Sequence, residues 1–138
     1  GVINVALNPY LIFNGNAREA ALFYAQVFGT EEPQFMTYGS VHGKDIPEEA
    51  KDLIMHTYLE IAGGKLMISD TYPGSPFQEG NNFTLAYVSN DEAAIRSAFE
   101  KLKDGGKVEM ELQETFWSKA YGSLTDKFNI QWQFSHEA

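Results

Sequence analysis

Residues 8–29 read NPYLIFNGNAREAALFYAQVFG, a short apolar segment followed by a helix with signals at both ends. Asn16 is a residue type that caps helix N-termini, Glu19 follows three residues later, and Gly29 suits the position after the last turn. The apolar residues between these signals recur at helical spacing and form one stripe: Ala17, Ala20, Ala21, Tyr24, Val27 and Phe28. The stretch therefore predicts a strand that leads into an amphipathic helix.

Residues 83–106, FTLAYVSNDEAAIRSAFEKLKDGG, repeat this design. Ser89 and Glu92 have the spacing of a capping box, and the glycines at 105 and 106 end the pattern. The helical stripe consists of Ala94, Ile95, Ala98, Phe99 and Leu102. A second unit of strand and helix is therefore predicted.

Three strand-like segments follow each predicted helix. They are QFMTYG, IMHTYLEIAG and KLMISD after the first, and KVEMEL, KAYGSLTD and IQWQF after the second. Gly63–Gly64 predicts a tight hairpin turn, and DKFN at 126–129 is expected to make the equivalent turn. We therefore expect one domain, residues 1–138, made of two βαβββ modules at about 7–72 and 80–137.

The composition limits the partners of the chain. It has 19 Asp and Glu against 10 Lys and Arg, and the formal charge of −9 opposes attraction to nucleic acid backbones. The absence of Cys excludes disulfides and thiolate chemistry. No apolar run approaches the roughly 18 residues that would suggest a membrane span. We therefore expect a cytoplasmic protein with neither nucleic acid nor a membrane as partner.

Several spaced blocks carry a family resemblance. The stretch 8–29, the blocks HTYLEIAGGKLMISD, QETFW and YGSLTDKF, and Trp132 resemble the PhnB-like group of the vicinal oxygen chelate superfamily, which includes glyoxalase I, extradiol dioxygenases and bleomycin-resistance proteins. The resemblance extends over nearly the whole chain. It implies an α+β fold whose two modules form curved mixed sheets around a cavity, and it implies a homodimer.

The resemblance also locates the positions at which superfamily enzymes hold a divalent metal. These positions fall at about Asn8, Phe83 and Gln133, which do not supply the usual His and Glu ligands. No metal or other cofactor is therefore predicted. A methyltransferase is not predicted either, because the chain lacks the glycine-rich strand-to-helix loop that a typical methyl-transfer fold needs for its cofactor.

Two polar residues are candidate catalytic groups. Strand alternation places His56 on the same face as Tyr58 and Glu60, where the imidazole is available for proton transfer, although a structural histidine at the sheet edge fits the pattern as well. Asp70 ends a strand and suits a base, a ligand or a cap of the following turn. The candidate ligand-binding residues are Tyr10, Phe116, Trp117, Tyr121 and Gln133.

These observations favour a protein that binds a small molecule in the cavity of the fold, with catalysis unproven. One alternative is a metal-dependent lyase, isomerase or dioxygenase with a relocated site around His56 and carboxylates such as Glu60, Asp70 or Glu114. Another is a protein that sequesters a cationic drug in an acidic, aromatic cleft. Phe116 and Trp117 suit a cavity mouth or a subunit contact, and the sequence leaves both roles open.

Overall fold

The structure of the protein, a computed structural model, describes residues 5–138. The chain divides into two compact units, one up to Phe77 and one from Gln78 onward. The first unit contains β1 (Tyr10–Phe13), α1 (Ala17–Phe28), β2 (Met36–Thr37), α2 (Tyr38–His42), a short 3-10 helix (Glu48–Ala50), β3 (Ile54–Ile61) and β4 (Gly64–Asp70). The second contains β5 (Leu85–Ser89), α3 (Glu92–Leu102), β6 (Lys107–Gln113), β7 (Tyr121–Thr125) and β8 (Gln131–His136).

Each unit forms one four-stranded mixed sheet. The strand orders are β1-β4-β3-β2 and β5-β8-β7-β6. In both sheets the first and last strands of the unit pair in parallel, and the other pairs are antiparallel. The predicted α+β class with curved mixed sheets is confirmed, and the sheets do not close into barrels.

The core of each unit lies between its sheet and its long helix. Helix α1 packs on β3 and β4, and α3 packs on β5 and β8. Side chains alternate along a strand, so every second residue faces the helix and is buried. The buried residues on this side include Leu11, Phe13, Thr57, Leu59, Leu66, Ile68 and Asp70 in the first sheet, and Leu124, Trp132 and Phe134 in the second.

The two long helices lie where the sequence predicts them, and the residues at the ends of α1 are those predicted. Asn16 occupies the N-cap position of α1, although its side chain makes no capping bond, and Gly29 follows the last turn with a φ of 65°. Helix α3 begins after Asp91, whose carboxylate accepts the Ala94 N–H, so the predicted cap at Ser89 is wrong. Ser89 is instead the last residue of β5, and its hydroxyl accepts the Asp91 N–H. Within residues 5–138, no helix is long and apolar enough to cross a membrane.

One predicted turn and one predicted strand also differ in detail from the structure. The β3–β4 hairpin turns at Ala62 and Gly63, with φ of 50° and 84°, and Gly64 already begins β4. The predicted strand QFMTYG is a strand only at Met36–Thr37, because α2 begins at the next residue. The Thr37 hydroxyl caps this short helix by accepting the Ser40 N–H.

Candidate functional site

The candidate residues lie mostly on the face of each sheet that is turned away from its helix, which we call the distal face. In the first sheet the distal residues include Tyr10, Ile12, His56, Tyr58, Glu60, Lys65, Met67 and Ser69. In the second sheet they include Ala86, Val88, Lys107, Met110, Gln113, Tyr121, Ser123, Thr125, Gln131, Gln133 and Ser135. Strand alternation thus places most of the candidate site residues on the side of each sheet opposite the core.

Tyr10, His56 and Tyr58 form a ring cluster on the distal face of the first sheet. The Tyr10 hydroxyl lies 3.2 Å from His56 Nδ1, within hydrogen-bond distance. The imidazole centroid is 5.8 Å from the Tyr10 ring and 6.2 Å from the Tyr58 ring. Both tyrosines are 43% exposed, so the cluster is accessible to a ligand. An imidazole paired at one nitrogen can donate, accept or transfer a proton at the other.

Asp70 lies on the opposite side of the same sheet, against α1. One carboxylate oxygen accepts the N–H groups of Gly15 and Ala17 at 2.9 and 3.0 Å, and the other accepts the Ile54 N–H at 2.9 Å. The residue is only 2% exposed. Asp70 therefore caps α1 rather than the TYPG turn, and its catalytic role remains a prediction that these contacts do not favour.

Tyr38 is a polar group near this site that the sequence did not indicate. Its hydroxyl donates to the backbone carbonyl of Asp70 at 2.9 Å, and its ring meets the Tyr72 ring edge to face at 5.2 Å. Burial raises the pKa of the Tyr38 phenol, and the nearby Tyr10, Asp70 and Tyr72 raise it further. The phenol therefore stays a protonated donor. Its sequence context suggested a strand, which gives no signal for this role.

Four predicted binding residues come together on the second unit. The Tyr121 hydroxyl donates to Gln133 Oε1 at 2.9 Å. The Trp117 ring meets the Tyr121 ring edge to face at 5.4 Å, and Phe116 meets Trp117 in the same way at 4.7 Å. Phe116 is 96% exposed and Trp117 is 52% exposed. We call these four residues the aromatic–amide cluster.

Ser135 lies beside the aromatic–amide cluster, and no sequence pattern indicated it as a site residue. It stands between Val88 and Tyr121 in the strand register, two residues after Gln133. The residue is 7% exposed, and its hydroxyl has no hydrogen-bond partner in the part of the chain that the structure describes. Alternation along IQWQF places it on the same face as Gln133, but only the structure reveals that the hydroxyl is unpaired.

Comparisons with known proteins identify the family. A family model described as 3-demethylubiquinone-9 3-methyltransferase matches residues 5–135. Protein YjdN of Escherichia coli strain K12 is 32% identical, over 94% of this chain and 93% of its own. A Bacillus cereus structure described as a putative 3-demethylubiquinone-9 3-methyltransferase, PhnB protein, is 25% identical, with a TM-score of 0.75 and coverage of 95% of this chain and 98% of that one.

The chain belongs to this PhnB-like family. Protein PA1353 of Pseudomonas aeruginosa supports the fold as well, with a TM-score of 0.84, 33% identity, and coverage of 97% of this chain and 98% of that one. The PhnB-like chain has the vicinal oxygen chelate fold, as the sequence resemblance predicts.

The residues at the superfamily's metal positions do not fit a divalent ion in this PhnB-like chain. The Asn8 side-chain oxygen accepts the Lys65 N–H at 3.3 Å. The side chain of Phe83 has no atom that can bind a metal ion. The Gln133 oxygen accepts the Tyr121 hydroxyl. Across residues 5–138, no three or more His, Asp and Glu side chains are grouped closely enough to hold a metal ion.

An acidic cleft of about 420 Å³ lies beside β3 in the first unit. Its lining includes Glu31, Glu32 and Glu60, together with the ring of Tyr58. The Lys65 ammonium lies 4.6 Å from the centroid of that ring, so the ring already contacts one cation. The cleft can attract positive charge, but it shares only Tyr58 with the ring cluster.

Proposed function

We propose that this PhnB-like protein is a cytoplasmic homodimer that binds a small organic molecule on the distal face of its second sheet. The observation that carries the proposal is the aromatic–amide cluster. It combines two exposed rings, Phe116 and Trp117, with a polar pair that is already hydrogen bonded, Tyr121 and Gln133. Ligand sites typically have apolar and aromatic walls with a few fixed polar groups.

The exposure of the rings supports a binding role. Trp and Phe bury large areas in cores and interfaces, so an edge-to-face pair left in water retains apolar surface that a ligand or a second chain can cover. The unpaired Ser135 hydroxyl is an argument for a bound ligand in particular. A buried hydroxyl without a partner is costly, so a polar ligand atom that bonds to it would contribute to binding.

Catalysis is not required by this proposal. His56, with the Tyr10 hydroxyl at Nδ1, remains the candidate for proton transfer. A relocated metal site would need carboxylates beside His56, whereas the Asp70 carboxylate is bonded to three backbone N–H groups on the helix side. We therefore do not propose a metal-dependent lyase, isomerase or dioxygenase.

Methyl transfer, which the family description names, is not our proposal either. The sheets are mixed rather than parallel, and the β1–α1 connection is the short segment 14–16. The backbone N–H groups of Gly15 and Ala17 at the start of α1 already bond to Asp70. No glycine-rich loop is therefore available there for a cofactor.

The acidic cleft favours a second candidate function, the sequestration of a cationic drug. Glu31, Glu32 and Glu60 would attract an ammonium or amidinium group, and the net charge of −9 acts in the same direction. Binding of an aromatic ammonium compound, with loss of that binding in Glu60→Gln, is the outcome this candidate requires.

Native mass spectrometry of gently purified protein tests the main proposal. We expect the mass of two 15.5 kDa chains with an additional small mass that disappears on denaturation. Trp117→Ala should lose the additional mass. Phe77→Ala, which removes an aromatic ring that is 37% exposed in the first unit, should keep it. Bare protein in repeated preparations would count against ligand binding, and a monomer mass would count against the dimer.

A further inference from the structure

We propose that the ligand of the second sheet is uncharged and planar, and that the side-chain amide of Gln133 recognises it through an acceptor oxygen. This inference rests on the proposed function and specifies its ligand class. It follows from three features of the distal face: the orientation of the amide, the size of its neighbours and the absence of charge on the residues directly beside it.

The orientation of the Gln133 amide is fixed by Tyr121. Because the Tyr121 hydroxyl donates to Oε1 at 2.9 Å, the amide oxygen is engaged and the NH₂ group is directed away from that bond. No acceptor among residues 5–138 forms a hydrogen bond to this NH₂ group. Gln133 is partly exposed. The site therefore presents a neutral, oriented donor, which selects an acceptor such as a carbonyl oxygen.

The strand register leaves space around this donor. Gln133 pairs with Ala86 on one side and with Ser123 on the other, and both are small residues on the distal face. The Trp117 ring, which contacts Tyr121, supplies an aromatic wall on the same side of the sheet. A flat ligand can thus lie over the small residues with its edge toward the amide and its body against the indole.

The charge balance directly beside Gln133 selects against ions. Its neighbours in the strand register, Ala86, Ser123 and Met110, carry no charge. The ionised side chains of Lys107 and Glu109 lie farther along β6, beside Thr125. A carboxylate or phosphonate would lose hydration here without an opposite charge, and an ammonium group would do the same. The net charge of −9 opposes an anion further. An uncharged ligand is therefore expected.

A matched series of naphthalenes tests the inference by isothermal titration calorimetry. The probes are 2-acetylnaphthalene, which is neutral with an acceptor, 2-methylnaphthalene, which has none, the anion 2-naphthoate and the cation 2-naphthylmethylammonium. We expect the ketone to bind most tightly. Its binding affinity should exceed that of the methyl compound by on the order of 5-fold, which is the gain expected from one neutral hydrogen bond. Both ions should bind more weakly than the ketone.

Two glutamine variants connect this preference to one side chain. Gln133→Met keeps the approximate size but removes the donor, so the preference for the ketone over the methyl compound should disappear. Gln26→Met is the matched control, because Gln26 is exposed on α1 in the first unit and lies outside the proposed site. Circular dichroism confirms that both variants fold.

The outcomes separate this inference from the proposed function. A naphthoate that binds as tightly as the ketone, or a Gln133→Met protein that keeps the preference, overturns the inference and leaves the function intact. If none of the four probes binds but native mass spectrometry shows a retained compound, only the inference is overturned. Failure of the probes together with bare protein overturns both.

Discussion

Asp70 shows how one side chain can join distant parts of a small unit. Its carboxylate bonds to Gly15 and Ala17 at the start of α1 and to Ile54 at the start of β3. These partners lie 16 to 55 residues away in the chain, so no local sequence pattern could indicate them. The strand alternation of His56 and Tyr58, by contrast, depends only on neighbouring residues and was predicted correctly.

Asp70→Ala should lower the free energy of unfolding by about 3 kcal/mol, because three N–H groups lose their acceptor and two of the bonds are buried. Asp70→Asn should cost less, since one acceptor oxygen remains. Urea unfolding followed by circular dichroism measures both effects.

The control for this series is Asp52→Ala at an exposed position, which should change stability by no more than about 0.5 kcal/mol. An Asp70→Ala protein of normal stability that no longer retains its ligand would contradict the structural role and favour the functional one.

At the scale of elements, long periodic segments were predictable and short ones were not. The stripes of α1 and α3 repeat over several turns, and both helices lie where the spacing predicts them. Helix α2 spans only Tyr38–His42 and depends on a local capping box between Thr37 and Ser40. It is too short to contain a repeating apolar pattern that would predict a helix. The N-cap of α3 was misassigned to Ser89 instead of Asp91 because several polar residues near the start of that helix can serve as caps.

The β3–β4 turn provides a test at the same scale. Ala62 has a positive φ of 50°, a region that Asn tolerates better than Ala. Ala62→Asn creates an Asn-Gly pair with Gly63 and should raise the free energy of unfolding by about 0.5–1 kcal/mol. Thermal and urea unfolding measure the change.

Ala62→Gly is the control for this turn, because it removes the backbone strain of a positive φ without adding a side chain. It should also be at least as stable as the parent protein. A loss of stability in both variants would show that the turn does not have the positive φ values described.

On the scale of the whole molecule, the two units repeat one arrangement of strands with different chemistry. Ile12 pairs with Ser69 in the first sheet as Val88 pairs with Ser135 in the second. Tyr121 lies beside Ser135, and the first sheet has His56 at the corresponding position of β3. The fold class and the family follow from the repeat and the spaced blocks. The ligand class does not, because it depends on which side-chain atoms remain unpaired after folding.

The two tryptophans make it possible to measure whether the distal face of the second sheet binds a ligand. Trp117 contacts Tyr121 on that face, whereas the buried Trp132 donates from its indole to Asp126 at 2.9 Å on the helix side. Each gives one indole signal in a ¹H–¹⁵N correlation spectrum, and Trp117→Phe assigns them. On titration with 2-acetylnaphthalene, we expect the Trp117 signal to shift in a saturable manner while the Trp132 signal changes little. A saturable shift of Trp132 with an unchanged Trp117 signal would contradict the account.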